Sequence, residues 1–171
     1  MDYYKNADKW QWQDVPLYNS VLGKPEFADD TQDEPLSLED AKAWCKIDLD
    51  TDDSLLTALI VAARIMCETF TNIGFKQRTI TAHINNADGG FVLPYGPASG
   101  DTTLQDGDLF DDNRGGQTVT YTGGYADGQL PKDLLTALKA QVLFLYENRG
   151  ESDLGLSPIT QLILAPQRRV V

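Results

Sequence analysis

At 171 residues the chain is long enough for one domain, or one domain with an arm, and can bury roughly 70% of the surface its unfolded form would expose. A formal net charge of −12 and a pI near 4.3 speak against any role that wraps phosphate backbones, because such binding draws on clustered Lys and Arg. The two cysteines, Cys45 and Cys67, lie far apart with no Cys-x-x-Cys pair, so they read as buried free thiols of a reducing compartment. The opening "MDYYKNADKWQWQ" lacks a basic and then apolar leader, and the apolar run "ALIVAARIM" is interrupted by Arg64, so a soluble, cytosolic product is expected.

Residues 1–36 show no sustained hydrophobic period. They carry Trp10, Trp12, Pro16 and the acidic patch "ADDTQDEP", and read as an extended arm with Trp10 and Trp12 as its anchors. Ser37, with Asp40 three residues on, has the capping-box pattern and predicts a helix over 38–46. Thr51 as cap, with Asp52 and Asp53 in the first turn, predicts a second helix over 52–71. Its stripe is Leu55, Leu56, Leu59, Ile60, Ala63, Met66, Cys67 and Phe70, which puts Arg64 and Glu68 on the opposite side; Val61 and Ile65 form a second apolar patch.

After Asn72 the period changes. "RTITAHIN" alternates Ile80, Ala82 and Ile84 against Thr79, Thr81 and His83, which predicts a half-buried strand. "FVLPYGP" reads as a short strand stopped by Pro94 and Pro97, "SGDTTLQDGDLFDDNRGG" as a polar loop, and "QTVTYTG" as a strand with Val119 and Tyr121 on one face. Together they make a small antiparallel β insertion over 78–122. Gly123, Gly124 and Gly128 in "YTGGYADGQLP" then join sheet to helix. Pro131 opens a third helix over 131–149 with the stripe Leu134, Leu135, Leu138, Val142, Leu145 and Tyr146, leaving Leu143 and Phe144 off it. Ser157, Pro158 and Pro166 frame a last helix over 158–165.

The candidate chemistry is sparse. Asp48, Asp50 and Asp52 match the first ligands of a calcium loop, but Asp53 stands where glycine is needed and Leu59 where the bidentate glutamate belongs, so a solvated helix start is preferred. Asp106, Asp108, Asp111 and Asp112 read as an exposed acidic loop that could gather a weakly held cation or supply paired carboxylates. His83 is the sole histidine and reads as structural. "TGGYADG" is not a dinucleotide fingerprint, and Asp127 and Asp133 would repel a phosphate beside it. No catalytic, metal or cofactor-binding residue is expected, and no cofactor. The patches Val61 with Ile65 and Leu143 with Phe144 pack within the chain or form subunit contacts.

The order of segments is similar to that of the tailed-bacteriophage head-to-tail connector family of adaptor and head-completion proteins. The resemblance rests on "LSLEDAKAWCKIDLDTDDSLLTALIVAARIMCETFTN", the "LPYGP" turn at 93–97, "VTYTGGY" followed by "LPKDLLTALKAQVLFLYENRG", and "SPITQLILAPQRR". It implies an α+β, predominantly helical adaptor domain over 37–171, an antiparallel bundle of about four helices with the β insertion between the second and third. It also implies a structural virion protein, not an enzyme, at the portal vertex or neck, made in the host bacterial cytoplasm. Such a protein forms a ring, with twelve copies the expected number, docks on the portal and receives the next tail or stopper protein while genomic DNA passes through. On that reading Ile163, Leu164, Pro166, Arg168 and Arg169 dock on the portal, and Val61, Ile65, Leu143 and Phe144 meet neighbouring subunits. The long arm and Gln167, where a tyrosine is common, depart from the family pattern. A stopper or tail-completion protein at the same junction, and a small carboxylate hydrolase or carbohydrate-binding domain, stay open as alternatives.

Overall fold

The structure, a computed structural model, describes residues 21–28, 32–85, 93–107, 116–151 and 155–169. Among these residues four α-helices and a four-stranded antiparallel sheet give an α+β fold. In order these are β1 (Val21–Ala28), α1 (Leu38–Cys45), α2 (Asp53–Thr71), β2 (Arg78–Asn85), β3 (Ala98–Gly107), β4 (Gly116–Gly123), α3 (Lys132–Glu147) and α4 (Pro158–Leu164).

The helix starts follow local chemistry. Ser37 Oγ accepts the Asp40 amide at 3.1 Å, and Ser157 Oγ accepts that of Thr160 at 3.0 Å, each satisfying a donor the helix cannot. Thr51 is not a cap: a 3-10 turn over Asp50–Asp52 precedes α2, and Asp52 occupies the cap position without a side-chain bond. Pro131 is the cap residue of α3, one position before the helix proper. The main core joins Leu56, Ile60, Ala63 and Cys67 of α2 to Leu134, Leu138 and Val142 of α3, with Leu36, Phe75 and Leu164 closing its ends. Each fully buried aliphatic side chain there contributes on the order of 1.5–3 kcal/mol. Helix α3 packs against each of the other three helices.

The sheet runs in the order β1-β2-β4-β3, so the two β strands that follow β2 reach it with β4 in the middle. The pairs Ile80↔Tyr121 and Ala82↔Val119 put Ile80, Ala82, Ile84, Val119 and Tyr121 on one buried face, a second small core that Leu93 and Tyr95 cover. On the other face Thr79, Thr81, His83, Thr118, Thr120 and Thr122 are half-buried.

Three segments differ from expectation. Residues 21–28, expected within the arm, are β1; Pro25 is tolerated there because an edge strand need not donate on both sides, and the register shifts between Leu22 and Glu26 around it. Residues 98–107, expected as loop, are β3: the turn-like "SGD" makes a bulge, with Gly100 at φ +78° and a register shift between Ser99 and Thr103, and does not end the strand. Residues 93–97, expected as the end of a strand, are a turn through Pro94 and Tyr95 with a cis Gly96–Pro97 bond.

Candidate assembly surfaces

The joint between helices and sheet is built of charge. Arg64 and Glu68, which the helical period placed on the outer side of α2, are 3% and 2% exposed. The correction has a physical cause: their partners arrive from other segments. Glu68 Oε2 accepts Arg64 Nη1 and Arg78 Nη2, both at 2.8 Å, while its Oε1 accepts the Phe75 amide at 2.7 Å. Glu34 takes Arg64 from the far side through Nε at 2.7 Å and Nη2 at 3.2 Å, and Lys76 Nζ lies 3.5 Å from the same carboxylate. Burial would lower the Arg64 guanidinium's pKa, but Glu34 and Glu68 outweigh it and hold the group above its ordinary value. The Arg78 guanidinium also lies 4.3 Å over the Phe27 ring of β1, which meets Tyr95 edge-on at 5.1 Å.

The glycine joint binds its own backbone. Gly124 sits at φ +98°, and a Cβ there would come within 2.2 Å of Lys76 O. Its amide donates to Pro97 O at 2.9 Å, that of Tyr125 donates to Gly74 O at 3.3 Å, and that of Gly74 donates to Gly96 O at 2.9 Å. Amides spent on carbonyls in this way cannot cradle a phosphate. The close approach of three chain segments, not a ligand, is what these glycines serve.

The acidic start of α2 is likewise committed. Lys42 Nζ binds Asp50 at 2.6 Å and Asp53 at 2.7 Å, whereas Asp52 accepts the Tyr146 hydroxyl at 2.6 Å. Asp50 and Asp53 converge on the Lys42 ammonium and Asp52 turns to Tyr146; among the described residues no cluster of metal-ligating side chains occurs. His83 Nδ1 lies 3.1 Å from Thr118 Oγ1 on the threonine face, and burial pushes the Cys67 thiol up to about 12. Asp108, Asp111 and Asp112 lie outside the described residues, as do Trp10 and Trp12; Asp106 falls in β3.

The expected contact residues divide. Val61, Leu143 and Phe144 are partly buried and Ile65 is 50% exposed. Leu164 is fully buried in the core and cannot present a docking surface, because with Thr160 it forms the inner side of α4. Ile163 packs partly against that core, while Pro166, Arg168 and Arg169 are exposed. Arg168 lies 5.5 Å over the Phe70 ring, the Arg169 amide donates to Thr71 O at 2.8 Å, and the Arg169 guanidinium fills the space a side chain at Gly96 would need. Two residues that the sequence reading passed over stand out: Ile159 and Leu162, at 63% and 78% exposed, one turn apart on α4. A helix of seven residues is too short for its stripe to be read from period alone, though the Ser157 cap fixes its phase.

Residues 35–97, a little over a third of the chain, match the family model described as phage gp6-like head-tail connector protein. The segment order from α1 to the 93–97 turn thus bears out the connector resemblance over that stretch. No curated protein matches the chain. Among solved structures it is similar to a chain in the neck of an empty GTA particle computed with C6 symmetry, with TM-score 0.67 and 16% identity over 87% of this chain and 97% of that one. It is also similar to a chain in the virion of a native gene transfer agent particle, with TM-score 0.68, 15% identity and the same coverage. At such identity the likeness establishes the fold. The family model matched over residues 35–97 describes a head-tail connector and supports a structural role.

Proposed function

We propose that this chain is a structural connector in the neck of a tailed-phage-like particle, joining head to tail. The observation that carries the reading is the agreement of the head-tail connector match at residues 35–97 with a fold shared, over most of both chains, with a component of a particle neck. On this reading an arm anchored by Trp10 and Trp12 ends before β1, and the adaptor domain, which takes in β1, Glu34 and Leu36, has helices that act as an antiparallel bundle. Copies form a ring, with twelve the expected number, through Val61, Ile65, Leu143 and Phe144. The ring docks on the portal by Pro166, Arg168, Arg169 and the exposed edge of Ile163, and receives the next tail component. DNA passes through without being held, since an acidic wall neutralises no phosphates and releases no counterions. Arg168 and Arg169, following an uncharged stretch from Pro158 to Gln167, can reach acidic or carbonyl groups of a portal by charge-assisted hydrogen bonds.

Particle imaging at the portal vertex tests the reading. Density for this chain as a ring in the neck is the expected result, and its absence from assembled particles overturns it. Truncation after Ala165 should abolish addition to portal-bearing heads while leaving α1 to α3 folded by circular dichroism; normal addition would remove the docking assignment.

A further inference from the structure

The outward side of α2 is free of charge. Between Ser54 and Thr71 the helix has two charged residues, Arg64 and Glu68, and both are buried in the joint. What it shows to solvent includes Thr57, Ala58, Ala62, Ile65 and Thr69, with Val61 half-buried among them. The outer side of α4 has the same character: from Pro158 to Gln167 no residue is charged, and Ile159 and Leu162 project from it into solvent. Solvent-facing helix surfaces ordinarily carry charged and polar residues, and apolar clusters left bare mark association.

The net charge of −12 selects the occupant. A basic partner would be drawn to the acidic surface, and a membrane would need cations beside the apolar face, which α2 does not expose. A second copy carries the same −12, so two copies approach closely only where neither presents charge. The chain offers two such faces, and they differ. One is long, with small residues Ala58 and Ala62 at its centre; the other is short, with large Ile159 and Leu162 projecting. Unlike faces on one chain suit a head-to-tail contact, which closes into a ring when the rotation allows.

We infer that the outer face of α4 in one copy seats Ile159 and Leu162 on the Ala58–Ala62 face of α2 in the next copy. The inference rests on the ring reading above and names the two surfaces that join it. It also separates duties at the end of the chain, with α4 serving the neighbour and Pro166 to Arg169 serving the portal.

Disulfide trapping decides it. Ala62→Cys and Leu162→Cys chains, purified separately and mixed under mild oxidant, should give about tenfold more linked dimer than either alone, as a contact favoured by roughly one decade in equilibrium constant requires. A chain carrying both changes should give a ladder of dimer, trimer and above, and unsubstituted protein should give none. Ile159→Glu added to the ladder-forming chain should remove the ladder with an unchanged thermal melt. Equal linking by Ala62→Cys alone means a two-fold contact and overturns the inference. So does a lack of links between chains, whether residues 1–20 cover the face or lipid vesicles take the protein up. Particle imaging keeps the two readings apart: a neck ring without Ala62–Leu162 links sinks this inference alone, whereas ladders from a chain absent from particles sink the neck reading alone.

Discussion

The inner side of α2 holds Arg64 and Glu68 away from water, whereas its outer side offers water Ala58, Ala62 and Ile65 and no charge. Ordinary amphipathic helices do the reverse. Each side has its own task. Inside, hydrogen-bonded charges tie Glu34, α2, the Phe75 turn and β2 into one geometry, and their directionality fixes the angle between helices and sheet in a way sliding apolar contacts do not. Outside, a neutral surface is compatible with a like-charged neighbour.

The largest effect is expected from Glu68→Leu, which takes the carboxylate from buried Arg78 and leaves Arg64 with Glu34 alone, and should cost about 3–5 kcal/mol in urea unfolding. Adding Arg64→Met should recover part of that loss, because the two residues act as a pair; full additivity would show that the network does not work as a unit. Gly124→Ala should cost about 2–4 kcal/mol, combining a positive φ with a contact that backbone cannot yield. Gly128→Ala, at φ +68° but with open space around it, should cost only about 1 kcal/mol. Phe27→Leu removes the ring from Arg78 and should lower stability by about 1 kcal/mol, read as a small shift in the same unfolding curve. At the small end, Ala62→Glu and Leu162→Glu on the outer faces should change stability by no more than about 0.5 kcal/mol. A larger loss would mean that those faces are already covered within one chain.

What the sequence made legible follows the range of the interactions. Ser37 and Ser157 announced their helices because a cap acts across three residues, and the Ile80, Ala82, Ile84 alternation announced β2 because a pleat repeats every two. Arg64 and Glu68 were misplaced because the groups that bury them, Glu34 and Arg78, lie on segments whose approach no helical period encodes. Strands β1 and β3 hid behind Lys24-Pro25 and Ser99-Gly100, turn-forming residues that an edge strand absorbs as irregularities. Of the proposed contact surfaces, the outer patch at Val61 and Ile65 was visible as an off-stripe pair; Ile159 and Leu162 were not, and Leu164 was assigned to docking although it is core.

Strand β1 has a consequence for how the molecule opens. Phe27 pairs with Ile80 across the whole of α1 and α2, so closing that loop waits on both helices, whereas β2, β3 and β4 follow one another in the chain. Lying at the sheet's edge with one bonded neighbour, β1 can leave without disturbing the core between α2 and α3. Its amides should therefore exchange with solvent sooner than those of β2 or β4, which makes the strand the seam along which this fold first comes apart.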